Sequence, residues 1–275
     1  MKQPTNHPQQ TPFWFIHMKT NTFYLILIVT AFAFFGAISC SSDSTSAAET
    51  CAISLPTELA PVMFEDTYFN NQDIPFEEQY STYFEVQSFA SLATSLMATM
   101  GPLGIGSSFL MLIQALNITP TVDGNTCTWT FDVPAGIEGG GGSVSIIGSP
   151  ANNGVNWEVR LRDAGSSTAI PVLRGFTSTD NRSGEWRIFD ESSSTTPAMI
   201  YSWQIQSATV YSTTVTGAGQ GFPTMNYEKN GPDNYLTSTD SSEEVNVYWN
   251  ENTDSGWIED QDGRRCYTNF ANSSC

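Results

Sequence analysis

Residues 155–162 read VNWEVRLR, and their alternation decides the fold class. Val155, Trp157, Val159 and Leu161 are apolar, while Asn156, Glu158, Arg160 and Arg162 are polar. Successive side chains of a strand point to opposite faces, so this segment offers one face to a core and one to water. The same period of two runs on both sides of it. Trp129, Phe131 and Val133 alternate, as do Val144 and Ile146, then Met199, Tyr201, Trp203 and Ile205, then Val245, Val247 and Trp249. Shorter segments surround Ile170, Trp186, Val210, Tyr235, Trp257 and Tyr267. Turn formers separate them: Asn152-Asn153-Gly154, Gly165-Ser166-Ser167, Asn230-Gly231-Pro232 and Asp262-Gly263. The pattern predicts a mainly β domain over 123–275. About ten short antiparallel strands would form a meander, as a curved sheet, open barrel or sandwich with one wet face.

Upstream the period changes. Residues 86–122 carry no charge. Phe89, Leu92, Ala93, Leu96, Met97 and Met100 recur at helical spacing, and Gly101-Pro102 ends that pattern. Phe109, Leu112, Ile113 and Leu116 repeat it. The segment 51–122 is therefore expected to contain a helical hairpin packed on the apolar face of the sheet, so that 51–275 folds as one unit. Before the hairpin, 51–85 reads as irregular with one short helix. The outer positions Ser88, Ser91, Thr94, Ser95 and Thr99 lack the charge of an ordinary surface helix, which predicts cover on both faces. Met97, Met100 and Met111 would be adaptable lining for an apolar ligand.

The N-terminus reads as an address. Met18-Lys19 gives a basic start, 23–35 an apolar core, and Gly36-Ala37-Ile38-Ser39 a small-residue site before Cys40. This resembles the signal peptide and lipobox of bacterial lipoproteins, with Ala37 where that family usually has Leu, Val or Ile. The resemblance implies that 1–39 is a leader and signal removed by cleavage and that Cys40 carries a diacylglyceryl group and an acylated amine. Residues 40–50 would then be the lipidated cysteine and a flexible tether. Ser41 implies sorting to the outer membrane of the cell envelope, and several acyl chains give firm attachment. Asp43-Ser44-Thr45 resembles the short O-glycosylation acceptor of Bacteroidota.

All 28 acidic residues lie beyond Cys40, against 8 of the 10 basic ones, so the chain from there on has a net charge of −20. Such a surface repels nucleic acid and anionic lipid headgroups. The only histidines, His7 and His17, precede Cys40, which removes His-dependent triads, zinc sites and general bases from the expected mature chain. Lys229 is its only lysine. Cys51, Cys127, Cys266 and Cys275 form an even set in an exported chain, which predicts two disulfides with three pairings open. The favoured pairing is Cys51–Cys127, tying the N-terminal segment to the first strand, and Cys266–Cys275, pinning the C-terminus.

Three patterns remain. Trp129, Trp157, Trp203 and Trp249 lie in phase with aliphatic neighbours and are expected in the core, leaving Trp257 as the exposed indole. Asp254, Asp260 and Asp262 are close in sequence, and Asp260-Gln261-Asp262-Gly263 partly resembles a calcium loop. With Ile258 in the place of a ligand, the segment is read as an Asp-Gly hairpin turn without a cofactor, and calcium held by these aspartates is the lesser alternative. Carboxylates such as Glu158, Glu185, Asp190 and Glu191 lie in or beside strands without a motif that pairs them. The expected function is a noncatalytic, lipid-anchored binding or structural module for an apolar ligand or a partner protein. The alternative is a carbohydrate-binding or carboxylate-dependent carbohydrate-active lipoprotein.

Overall fold

The computed structural model describes residues 51–55, 67–70, 72, 74–100, 117–133, 141–189, 195–217 and 223–275, with the side chains of 96–100 outside the description. Its fourteen strands form one antiparallel sheet in sequence order. They are β1 (Thr121–Asp123), β2 (Thr126–Val133), β3 (Gly142–Ala151), β4 (Gly154–Arg162), β5 (Ile170–Ser178), β6 (Ser183–Ile188), β7 (Met199–Ser207), β8 (Val210–Gly217), β9 (Thr224–Asn230), β10 (Asp233–Thr239), β11 (Glu244–Asn250), β12 (Ser255–Asp260), β13 (Gly263–Thr268) and β14 (Ala271–Ser273). The chain is therefore mainly β, as its alternation predicts. The sheet is not closed: β1 and β14 are its edges. The sequence pattern undercounts the strands. It misses β1 and β14, which are three residues long and mostly polar, and β9, whose alternation is only Met225 and Tyr227.

Helical structure precedes the sheet. A short helix, α1 (Thr67–Asn70), a 3₁₀ turn (Glu78–Tyr80) and a long helix, α2 (Ser81–Met100), follow one another. The first helix of the expected hairpin is thus present, and it begins well before the apolar stripe. The second, over 109–116, lies outside the described residues. α2 packs on β11–β14.

The inner face of the sheet is built from aromatic rings laid against glycines. Trp157 pairs with Gly148 on one side and Gly175 on the other, Gly175 with Trp186, Gly184 with Trp203, and Gly256 with both Trp249 and Tyr267. These glycines are needed for close approach. A Cβ on Gly175 would stand 2.4 Å from Trp186 Cε3, and one on Gly184 would stand 2.1 Å from Trp203 Cη2. Large and small residues alternate across the strands, so each indole fills the space its neighbour leaves. Trp129, Trp157, Trp203 and Trp249 are all buried, as expected, and Trp186 is fully so. Trp157 Nε1 donates to Thr177 Oγ1 at 2.9 Å and Trp203 Nε1 to the Asn181 carbonyl at 3.2 Å.

Both disulfides join the expected pairs. Cys51–Cys127 spans 76 residues and fixes the N-terminal segment to β2, where Ile53 reaches the space over Gly148. Cys266–Cys275 ties the C-terminus to β13.

The start of α2 is capped from another part of the chain. Asn272 Oδ1 accepts from the Thr82 backbone N–H at 3.0 Å, while its Nδ2 donates to the Glu78 carbonyl and to Ser81 Oγ, both at 3.0 Å. A helix leaves its first N–H groups without internal partners, and a side-chain oxygen satisfies one. Asn272→Ala should cost about 1–2 kcal/mol in urea unfolding. A loss within error of zero would show that water replaces the cap.

Candidate functional site

The two faces of α2 differ from what the periodicity implies. Tyr83, Val86, Ala90 and Ala93 are buried against the sheet. Of the stripe read as core-facing, Ala93 is buried, but Phe89 is only half-buried and Leu92 is 56% exposed, so its bulky members here lie at the edge of the core. The reason is tertiary. Tyr83 docks into an aromatic box, with ring centroids 5.5 Å from Tyr267 and 5.3 Å from Phe270, both edge-on, and 5.8 Å from Phe69. Phe69 in turn lies 5.3 Å from Trp249. That box sets the rotation of the helix. Phe270 itself adopts φ +66°, a strained value for a bulky residue, in the β13–β14 turn.

The outward face of α2 lines an open groove of about 530 Å³. Phe84, Phe89 and Leu92 form one wall, Ile258 on β12 the floor, and Phe76 one end. Phe76 is 83% exposed and its ring lies 5.0 Å from that of Phe84. Arg265 crosses the groove. It holds Asp260 through two bonds, Nη2 at 2.7 Å and Nη1 at 3.0 Å, and Glu85 through Nε at 2.9 Å. The guanidinium beside Asp260 holds its carboxyl below the usual carboxylate range. Arg265 is the partner of Ile258 in the ladder, so it stands on the inner face, where only the helix makes room for a charge.

The structure separates the three aspartates that the sequence places together. Asp260 is bound to Arg265, Asp254 accepts from Tyr68 Oη at 3.3 Å, and Asp262 is exposed in the β12–β13 turn. Among the described residues, no group of three or more His, Cys, Asp or Glu could hold a metal ion. The segment is a hairpin, with the Asp262 N–H donating to Asp260 Oδ1 at 2.9 Å. Lys229 is paired with Glu251, which also accepts from Asn234 Nδ2 at 3.1 Å.

Trp257 lies on the outer face in a cross-strand ladder. Tyr235 and Tyr248 have centroids 4.9 Å apart, Tyr248 stacks on Trp257 at 5.9 Å, and Arg264 sits 4.1 Å over the Trp257 ring. Tyr248 comes from β11 and Arg264 from β13, on opposite sides of β12, so the indole stands between them with both faces taken. Such a ladder stabilises the sheet, and it leaves Trp257 no free face for a sugar ring. Tyr235, 45% exposed, ends the row and carried no sequence signal beyond its own strand. Of the methionines read as ligand lining, Met111 and the side chains of Met97 and Met100 lie outside the described residues, as does Cys40.

Beneath α2, Tyr68, Tyr83 and Tyr267 face Asp254. Burial, with the Asp254 charge adding to it, raises Tyr83 to about 12, and burial raises Tyr68 and Tyr267 further. Folded-state values above the unfolded value of about 10 mean that the unfolded chain ionises first. Stability from these tyrosines is intact below pH 10 and is lost as pH rises above it. Titration by tyrosinate absorbance should therefore show a step coincident with loss of far-UV circular dichroism. Smooth ionisation near pH 10 with the fold intact would contradict the burial.

The chain matches no protein-family model, no curated protein and no solved structure.

Proposed function

We propose that this chain is a lipid-anchored cell-envelope protein whose folded part is a noncatalytic docking module for a partner protein. The anchor rests on the lipobox-like sequence at Cys40. The docking role rests on one observation: α2 leaves Leu92 exposed and Phe84 and Phe89 only half-buried at the edge of the core, and together with the exposed Phe76 they line an open groove. Contiguous exposed apolar surface with a polar rim is characteristic of interaction sites. A helix with two apolar faces is stable in water only where the second has a partner. The open groove favours a macromolecule over the enclosed apolar ligand that the sequence also allowed, since small-molecule sites bury most of their ligand. The covered indole of Trp257 weighs against a sugar platform. The curvature of the sheet and a second helix against it belong to the same reading, as the scaffold that presents the groove.

The test uses the full chain in a bacterial host. A photo-crosslinking residue at Leu92 should give a discrete protein adduct that the same residue at Tyr235 does not. Equal adducts at both positions, or none at Leu92, would overturn the docking role. In parallel, Cys40→Ser should abolish incorporation of a palmitate analogue and release the protein from the membrane fraction. Persistence of both would overturn the anchor.

A further inference from the structure

We propose that the groove receives a basic amphipathic segment of the partner protein, an inference that rests on the docking role above. Its apolar side chains would lie on Phe76, Phe84, Phe89 and Leu92, and its Lys or Arg side chains would meet the acidic rim. Glu85 and Asp260 line the groove, and the exposed Glu77 and Glu78 lie in the chain between its lining residues Phe76 and Ser81. Two carboxylates of the lining share one guanidinium, Arg265, and two more exposed glutamates stand beside the groove in the chain. Arg264, the neighbour of Arg265 in sequence, stands on the outer face against Glu259 and Trp257. Between Lys19 and Arg160 the chain has no Lys or Arg, so α1, α2 and β1–β3 bring none. Docking an apolar segment there removes water from Glu85 and Asp260. Burying a carboxylate is costly unless a cation or a hydrogen-bond donor replaces the water, and a cation compensates more fully than a neutral donor. An acidic segment or an anionic lipid surface adds repulsion. A basic segment meets both demands and gains faster, electrostatically steered association.

Synthetic helical peptides with one shared leucine stripe and Lys, Gln or Glu on the opposite face are titrated into the folded chain by fluorescence anisotropy. The Lys peptide should bind at least about tenfold more tightly than the Gln peptide, and the Glu peptide should bind least. The preference should fade as salt shortens the screening length below about 8 Å. Phe76→Ala with Leu92→Ala should abolish binding of every peptide. Glu77→Gln, Glu78→Gln and Glu85→Gln together should bring the Lys peptide to the level of the Gln peptide. These five residues are exposed, so the variants keep the fold, which circular dichroism checks. If Lys and Gln peptides bind equally and both depend on Phe76 and Leu92, the charge preference is wrong and the docking groove stands. Lys-peptide binding that survives the Phe76 and Leu92 changes is bulk attraction to an acidic protein and overturns the inference. Absence of binding by all three peptides overturns the groove as a docking site.

Discussion

Trp186→Ala should lower the unfolding free energy by about 3–5 kcal/mol, among the largest single losses available to this chain. Trp186 is fully buried on β6 and its ring crosses Gly175 of β5. The usual relief for a truncated core residue is collapse of neighbours into the space. Here the neighbour beneath the ring has no side chain to move, and the strands on both sides are fixed by ladder hydrogen bonds. The cavity therefore stays open, and its lining loses contacts outright. Trp257→Ala is the control. That indole is half-buried on the outer face, held by Tyr248 and Arg264, and its loss should cost about 1 kcal/mol. Urea midpoints of the two variants measure the contrast. Similar losses would mean that the glycine-backed inner face relaxes as freely as the surface. The converse substitution, Gly184→Ala, tests the same packing from the other side, because its Cβ would meet both the Trp203 ring and the Phe176 carbonyl oxygen at 2.6 Å. The backbone oxygen does not yield as a side chain would.

Removing Cys51–Cys127 should cost about 4 kcal/mol, against about 2.5 kcal/mol for Cys266–Cys275. The difference follows from loop length in the unfolded chain, 76 residues against 9. A longer loop restricts more unfolded conformations, so its removal releases more entropy. Cys127 is 1% exposed, so Cys51→Ala with Cys127→Ala is preferred over serine, which would bury a hydroxyl in a dry site. Thermal or urea unfolding of the two double-alanine variants gives the comparison. A smaller loss for the long-range pair would indicate that the unfolded chain is already held together near 51–127.

The β content was legible because one face of the sheet is dry. VNWEVRLR announces itself: Trp157 and Val159 must leave water, while Glu158 and Arg160 pair with each other at 2.8 Å on the outside. Where both faces are polar, as in β14, the pattern vanishes and the strand exists only because β13 and a disulfide hold it. The aspartates near the β12–β13 hairpin illustrate a related limit. Asp254, Asp260 and Asp262 are near in sequence, but Asp254 meets Tyr68, Asp260 meets Arg265 and Asp262 is exposed in the turn, so the fold separates them.

The groove shows the same division. Composition alone established that 86–122 lacks charge, so the charges of the groove, Glu85, Asp260 and Arg265, all come from outside that stretch. The apolar spacing also established that a helix forms. Which face it buries was beyond periodicity, since Phe84, Phe89 and Leu92 are as apolar as Tyr83, Val86 and Ala90. That choice fell to residues more than a hundred positions away, Trp249, Tyr267, Phe270 and Asn272, whose box and cap fit one rotation of α2. Local pattern specifies which residues avoid water; only tertiary packing decides which of them succeed, because the core has room for one face of the helix and leaves the other at the surface.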